Sequence, residues 1–230
     1  MGFDGGGCPE GGKRATELIP EEWTSHLIST RFSAGLDKTH EHLDEREVRF
    51  KLFYGLDHEV SGICHTLHPY DLDDHATHRH LLPKTINIHL SHYMLWAALN
   101  VLSETPYTGH LIMEQDVRFE EDWAESLGAV LEFLPDDWDL LYLGSCNCRH
   151  FAGPDSLLGG GLYSVPSASC LHAYVVRGKA LPVLLERCER VWAPIDLSMH
   201  QDRSRRGTRA LNSYAVFPRL ATQLDTRIPE

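Results

Sequence analysis

Basic charge is scarce in this chain. Its 21 Lys and Arg stand against 33 Asp and Glu, a formal net charge of −12. That balance argues against a nucleic-acid partner, because no broad face can offset a phosphate backbone. The single basic run, 203–209, reads as a solvated helix face or loop. Long apolar runs are missing too: none approaches the roughly 18 residues of a membrane span. No leader segment is legible, although a piece cut from an anchored protein would read the same. The six cysteines lack zinc-finger spacing; Cys146 and Cys148 make a C-x-C pair, and Cys8, Cys64, Cys170 and Cys188 are scattered. Fifteen histidines are many, yet no HExxH is among them, so most read as surface or loop residues. Neither GxGxxG nor GxxxxGK[ST] surrounds Gly159-Gly160-Gly161, which excludes a phosphate loop there and leaves a hinge as the expectation.

What is present is ordinary globular chemistry. The chain of 230 residues is 42% hydrophobic and 23% charged, enough for one domain with a substantial core. Residues 1–20 read as a flexible glycine-rich N-terminus and 21–230 as a single domain. A weak first strand is expected at 27–29, a helix over 31–43, a strand over 48–54 and a long polar surface loop over 58–80. The clearest helix is expected over 84–102, with Pro83 at its start. Ile86, Leu90, Tyr93, Met94, Ala97, Ala98 and Val101 are expected to form its core face. His89, His92 and Trp96 make a neighbouring stripe at i, i+3 and i+7. Each of those histidines is better read as hydrogen-bonded to backbone or water than as a ligand.

The most informative stretch is 108–144. His110-Leu111-Ile112-Met113 is an apolar run too short for a helix, and Glu114-Gln115-Asp116 follows at once. Two carboxylates one residue apart at the tip of a strand point the same way, because strand side chains alternate. Oxygen donors so placed can hold a divalent cation, and the cation can hold a diphosphate. A helix is expected over 121–134, stopped by Pro135, and a strand over 140–143. Further on come a long loop over 145–169, a strand over 173–176, a helix over 181–191, a helix opened by Pro194-Ile195-Asp196, and a last strand over 214–217. Strands alternating with helices indicate an α/β fold with a mainly parallel sheet.

The order of motifs resembles the family 25 glycosyltransferases, the group of lipopolysaccharide and procollagen galactosyltransferases. Leu90-Ser91-His92-Tyr93-Met94-Leu95-Trp96 is similar to that family's SHxxxW helix, and Leu111 through Asp116 lies where it has EDD. Leu134-Pro135-Asp136-Asp137-Trp138-Asp139-Leu140-Leu141-Tyr142-Leu143-Gly144 resembles its LPxDWDxxYLG run. His172-Ala173-Tyr174-Val175-Val176, Pro194-Ile195-Asp196 and the segment 214–220 resemble its AYV strand, PxD and closing Y-x-(V/I)-x-P-x-L. The chain departs from the pattern at Gln115, which replaces the middle acid of EDD. It departs also at Ile28-Ser29-Thr30-Arg31, a loose match to the opening N-L-x-R-R, and at Ile88-His89, where a G-C pair is common. With Cys146 and Cys170 in place it looks most like fungal members, and a Cys146–Cys170 disulfide is implied by the same likeness.

The resemblance implies a GT-A-type three-layer α/β/α sandwich and transfer of a sugar, galactose foremost, from a UDP-sugar to a hydroxyl of a glycan or glycoprotein, with inversion. Mn²⁺ or Mg²⁺ is the implied cofactor, held by Asp116 first and Glu114 second in a DxD-like arrangement. Arg31, Ser91, His92 and Gln115 join them as donor-binding residues. Asp196 is either the base that deprotonates the acceptor or a helix-start acid held by free amides. Asp139 is expected to be structural, His92 to touch diphosphate or orient Asp116, Trp96 to pack, and His172 to offer a second metal or phosphate contact. A family member that binds without turnover is the alternative, which Gln115 and the eroded first strand favour. The compartment stays open: secretory pathway for a eukaryotic chain, cytoplasm for a bacterial one.

Overall fold

The computed structural model describes residues 19–30, 35–57, 83–103, 105–146, 156–201 and 207–224. Residues 1–18 of the expected flexible start (1–20), Arg31 and the loop over 58–80 lie outside them. Ten strands and five α-helices are described. They run β1 (Thr24–Ser29), α1 (Leu36–Glu45), β2 (Lys51–Tyr54), α2 (Pro83–Leu102), β3 (Gly109–Glu114), β4 (Val117–Phe119), α3 (Trp123–Leu131), β5 (Leu140–Gly144), β6 (Leu157–Gly159), β7 (Leu162–Ser164), β8 (Ala173–Arg177), α4 (Leu181–Cys188), α5 (Ile195–His200), β9 (Ser213–Val216) and β10 (Ala221–Gln223).

Eight strands form one sheet in the order β2-β1-β3-β8-β5-β9-β7-β6, and β4 pairs with β10 in a small ribbon. The parallel expectation holds for β2-β1-β3 and for β5 beside β9. It gives way at β8, which lies antiparallel between β3 and β5, and at the β6-β7 edge. The sheet is therefore mixed.

Side-chain alternation decides which face each residue serves. Leu27, Leu111, Met113, Leu141, Leu143, Ala173 and Val175 face one way, onto α1, α3 and the β4-β10 ribbon. Ile28, Ile112, Leu140, Tyr142, Tyr174 and Val176 face the other, onto α2, α4 and α5. Both faces are thus covered, the first by two helices and a ribbon rather than by helices alone. Among the described residues no helix is long and apolar enough to cross a membrane.

Three expectations need correcting. The core face of α2 is not the one its apolar periodicity suggests: Met94 is 44% exposed and Val101 81%, whereas Leu95, Trp96 and Leu99 are buried together with His89 and His92. The polar stripe wins because the sheet face and α4–α5 offer it partners. His89 lies 2.9 Å from the Cys188 carbonyl and 3.2 Å from that of Ala193, so its buried ring N–H has an acceptor. Histidines in general are less superficial than expected, with His26, His110 and His172 buried as well. Lastly, the triple glycine is no hinge. Gly160 and Gly161 join β6 to β7 in a two-residue turn with φ of 54° and 81°, the positive values that tight hairpins require and glycine adopts freely.

The inverted face of α2 makes a direct test. Met94→Glu and Val101→Glu should each stay within about 0.5 kcal/mol of wild type, whereas Leu95→Ala should cost about 2–4 kcal/mol, read from urea denaturation midpoints.

Candidate functional site

The parallel strands β1, β2 and β3 end at the same edge of the sheet. Chain connection passes from β1 to β2 on one side and on to β3 on the other. Outside the carboxyl ends of strands, at such a reversal of strand order, open α/β sheets leave a crevice where ligands bind. A cavity of about 380 Å³ lies there. Ile28, Ser29 and Thr30 line it after β1, Gly55, Leu56 and Asp57 after β2, Glu114, Gln115 and Asp116 after β3. The first half of α2 contributes Lys84, Asn87, Ser91 and His92.

Glu114 and Asp116 thus reach one cavity, as the alternation of β3 predicts. Their environments differ. Trp96 Nε1 donates to the Tyr174 hydroxyl (2.9 Å), that hydroxyl meets His92 Nδ1 (2.9 Å), and His92 Nε2 meets Glu114 Oε1 at 3.0 Å. Run in one direction, every group in this chain is satisfied: tyrosine donates to Nδ1, and Nε2–H donates to the carboxylate. Burial works against ionising Glu114, but the hydrogen bond from His92 and the nearby positive charge of Lys84 favour the carboxylate, and the carboxyl lies below its ordinary value. Asp116 has no histidine bonded to it, and its own backbone amide and Lys84 only partly offset the opposing effects. Burial, and next the Glu114 charge, push it up to about 6. Its Oδ1 is buried and has no hydrogen-bond partner among the described residues. Like charges sharing a site separate in this way.

The pair fits a hard divalent cation. It offers anionic oxygens, no described arginine or lysine forms an ion pair with either carboxylate, and the orphaned Oδ1 is the group a cation would satisfy. Carboxylate ligands of a metal are themselves held by hydrogen bonds, as His92 holds Glu114.

Other expected residues fall as follows. Gln115 lines the cavity, and its Oε1 accepts from Ser29 Oγ (3.0 Å) and the Thr30 amide (3.1 Å), tying the turn to the end of β1. Ser91 is at the wall, with its hydroxyl donating to the Asn87 carbonyl (2.6 Å) and accepting from the Leu56 amide (2.8 Å). His92 orients Glu114 rather than Asp116, and Trp96 both packs and starts the donor chain. Asp196 does not line the cavity: its carboxylate accepts the Cys170 amide (3.1 Å) and the Leu197 amide (2.9 Å) at the start of α5. Asp139 is structural, gripped by Arg209 at 2.6 and 2.7 Å and by the Asn212 amide at 2.9 Å. His172 is outside the cavity wall, and its backbone carbonyl accepts the Glu114 amide (3.1 Å). The Cys146–Cys170 disulfide is formed. Missed by sequence reasoning were Lys84, Asn87 and Asp57, whose only signal was their place just inside α2 or just after β2.

No known family model matches the chain, and no curated protein matches it. Among solved structures, A197 from STIV is similar at 11% identity over 84% of this chain and 81% of that one, with a TM-score of 0.41. Mouse xyloside xylosyltransferase 1 in its apo form is similar at 12% identity over 77% and 67%, with a TM-score of 0.32. Likenesses this distant carry no argument about function.

Asp116 makes stability depend on pH in a definite direction. Its folded value lies above the unfolded one, so its contribution is complete below about pH 4 and is lost as pH rises through about 6. Asp116→Asn should therefore leave the metal-free protein unchanged near the acid limit and stabilise it by about 1–3 kcal/mol above pH 7, measured by urea titrations of both proteins across that range. A gap that widened toward acid would refute the electrostatic account.

Proposed function

We propose that the protein is a metal-dependent glycosyltransferase of GT-A type, using a UDP-sugar with galactose as the first donor to test. The observation that carries this reading is the carboxylate pair at the carboxyl edge of the parallel strands, without an arginine or lysine ion-pair partner among the described residues, one member fixed by His92 and the other with a buried oxygen unsatisfied. Asp116 and Glu114 are the residues to hold Mn²⁺ or Mg²⁺. When bound, such an ion supplies Lewis-acid stabilisation to a departing diphosphate. Lys84 adds a cation at the mouth of the same cavity, suited to the remaining phosphate charge. Asn87, Gln115 and the backbone of Thr30 and Leu56 are neutral polar groups that can orient a nucleoside. The acceptor is a hydroxyl of a glycan or glycoprotein, attacking opposite the diphosphate.

A second reading is supported by one observation. Asp196 has its oxygens engaged by amides and stands outside the cavity. A protein without a placed base would hold nucleotide sugar without transferring it.

Thermal shift with UDP-galactose, alone and with Mn²⁺, tests both. At a hundredfold excess over Kd a native-state ligand adds about 2.7 kcal/mol, several degrees in Tm, and the rise should require both components. Release of UDP on top of the shift favours the transferase, a shift without release favours the binding protein, and no shift defeats both. Glu114→Ala and Asp116→Ala should abolish the metal-dependent part. His92→Ala should weaken Mn²⁺ about 10–100-fold while leaving both carboxylates in place, as read by calorimetric titration.

A further inference from the structure

A second cluster of donor atoms lies beside the first, with a different chemistry. The sulfurs of Cys146 and Cys170 and a ring nitrogen of His172 all lie within 4.8 Å of one another. In the disulfide form the sulfurs are bonded to each other. His172 is 1% exposed, and its Nδ1 has no hydrogen-bond partner among the described residues. Its other nitrogen, Nε2, lies 3.1 Å from the Ala221 carbonyl. That bond fixes the tautomer: Nε2 carries the proton and Nδ1 keeps its lone pair. Gly144 permits the arrangement, since a Cβ there would strike both the ring and the Ala221 carbonyl. A buried imidazole with one N–H bonded to a backbone carbonyl and the other nitrogen open is the usual posture of a metal ligand.

We propose that Cys146, Cys170 and His172 form a redox-gated metal site, closed as a disulfide and open, in the dithiol form, to a borderline ion such as Zn²⁺. Opening takes two electrons and two protons. A small thiol reductant supplies them: its own thiols join as a disulfide while the Cys146–Cys170 bond breaks and leaves two thiols. On binding metal both thiols release their protons to solvent, so the ion meets two thiolates and one neutral imidazole. In a tetrahedral site with metal–sulfur bonds of about 2.3 Å the sulfurs stand about 3.8 Å apart. The Cα separation of 5.7 Å accommodates that spread through side-chain rotation. Cys146 is exposed, which gives reductant and ion a way in and leaves the fourth position to water. Sulfur and nitrogen donors set this site apart from the oxygen pair at Glu114 and Asp116, where a harder ion belongs.

The test uses the full chain and Co²⁺ as a spectroscopic probe. The protein is reduced with dithiothreitol, freed of reductant under argon and titrated. Expected are a thiolate-to-cobalt charge-transfer band and the intense d–d bands of four-coordinate cobalt, both displaced by Zn²⁺. Oxidised protein should show neither, because cobalt at the carboxylate pair gives only the weak bands of six-coordinate oxygen ligation. Cys170→Ser should lose the bands, and Cys188→Ser should keep them. One measurement needs no variant: Zn²⁺ should slow alkylation of Cys146 and Cys170 in the reduced wild type at least tenfold, read by mass spectrometry. Absence of the bands in reduced protein, bands that persist in Cys170→Ser, or labelling indifferent to Zn²⁺ would each overturn the proposal.

Discussion

Two carboxylates occupy one poorly solvated corner of the sheet, and among the described residues neither pairs with arginine or lysine. Coulomb repulsion between them is strongest where water is excluded, so something must yield. What yields is Asp116, whose proton affinity rises, while Glu114 is kept ionised by His92. His92 in turn is held by Tyr174, and Tyr174 by Trp96. Three fully buried side chains from a helix and an antiparallel strand therefore serve to fix a single oxygen. An arrangement whose cost falls when a positive ion arrives is preorganised for that ion. The same arrangement without one is simply repulsive.

The strand order explains why this corner exists. Three parallel strands carry their C-terminal turns to one edge, and β1 sits between neighbours that the chain reaches in opposite directions. Inserting β8 antiparallel to β3 has a further effect: it brings the start of β8 to the same edge. His172 and Cys170 arrive there for that reason, and the Glu114 amide bonds directly to the His172 carbonyl. Oxygen donors and sulfur–nitrogen donors thus become neighbours through one backbone hydrogen bond. The disulfide, the Asp196 contact to the Cys170 amide and the missing side chain at Gly144 all act on the placement of this second set.

Much of the fold was legible because short apolar runs mark buried strands. His110 to Met113, Leu140 to Leu143 and Ala173 to Val176 lie in strands as read, and the carboxylate pair shares a face as alternation requires. What was not legible has identifiable causes. Apolar periodicity misassigned α2, since Trp96, His89 and His92 are buried by hydrogen bonds that no local pattern encodes. Strand direction failed at β8, because a sequence does not say from which end a strand enters its sheet. The β6-β7 hairpin was lost among glycines, whose positive φ serves turns and hinges equally. Strand β10 is three residues long, too short for periodicity to register. Lys84 and Asp57 entered the site only by tertiary placement.

Four acids stood out in the sequence, and the structure ranks them by what remains unsatisfied. Asp139 is saturated by a guanidinium and an amide, and burial is matched there by charge; it holds the start of β5 and has no capacity left for a ligand. Asp196 is bonded by two amides and anchors the disulfide segment to α5. Glu114 is engaged through Oε1, by a partner that aims it at the cavity. Asp116 has a buried oxygen with no partner among the described residues. Sequence motifs assign these four acids roles without showing what each already bonds. Residual hydrogen-bonding capacity separates them, because a group already satisfied by its own fold has little to gain from a substrate or an ion, and a group left unsatisfied at a cost has most of its free energy still to recover on binding.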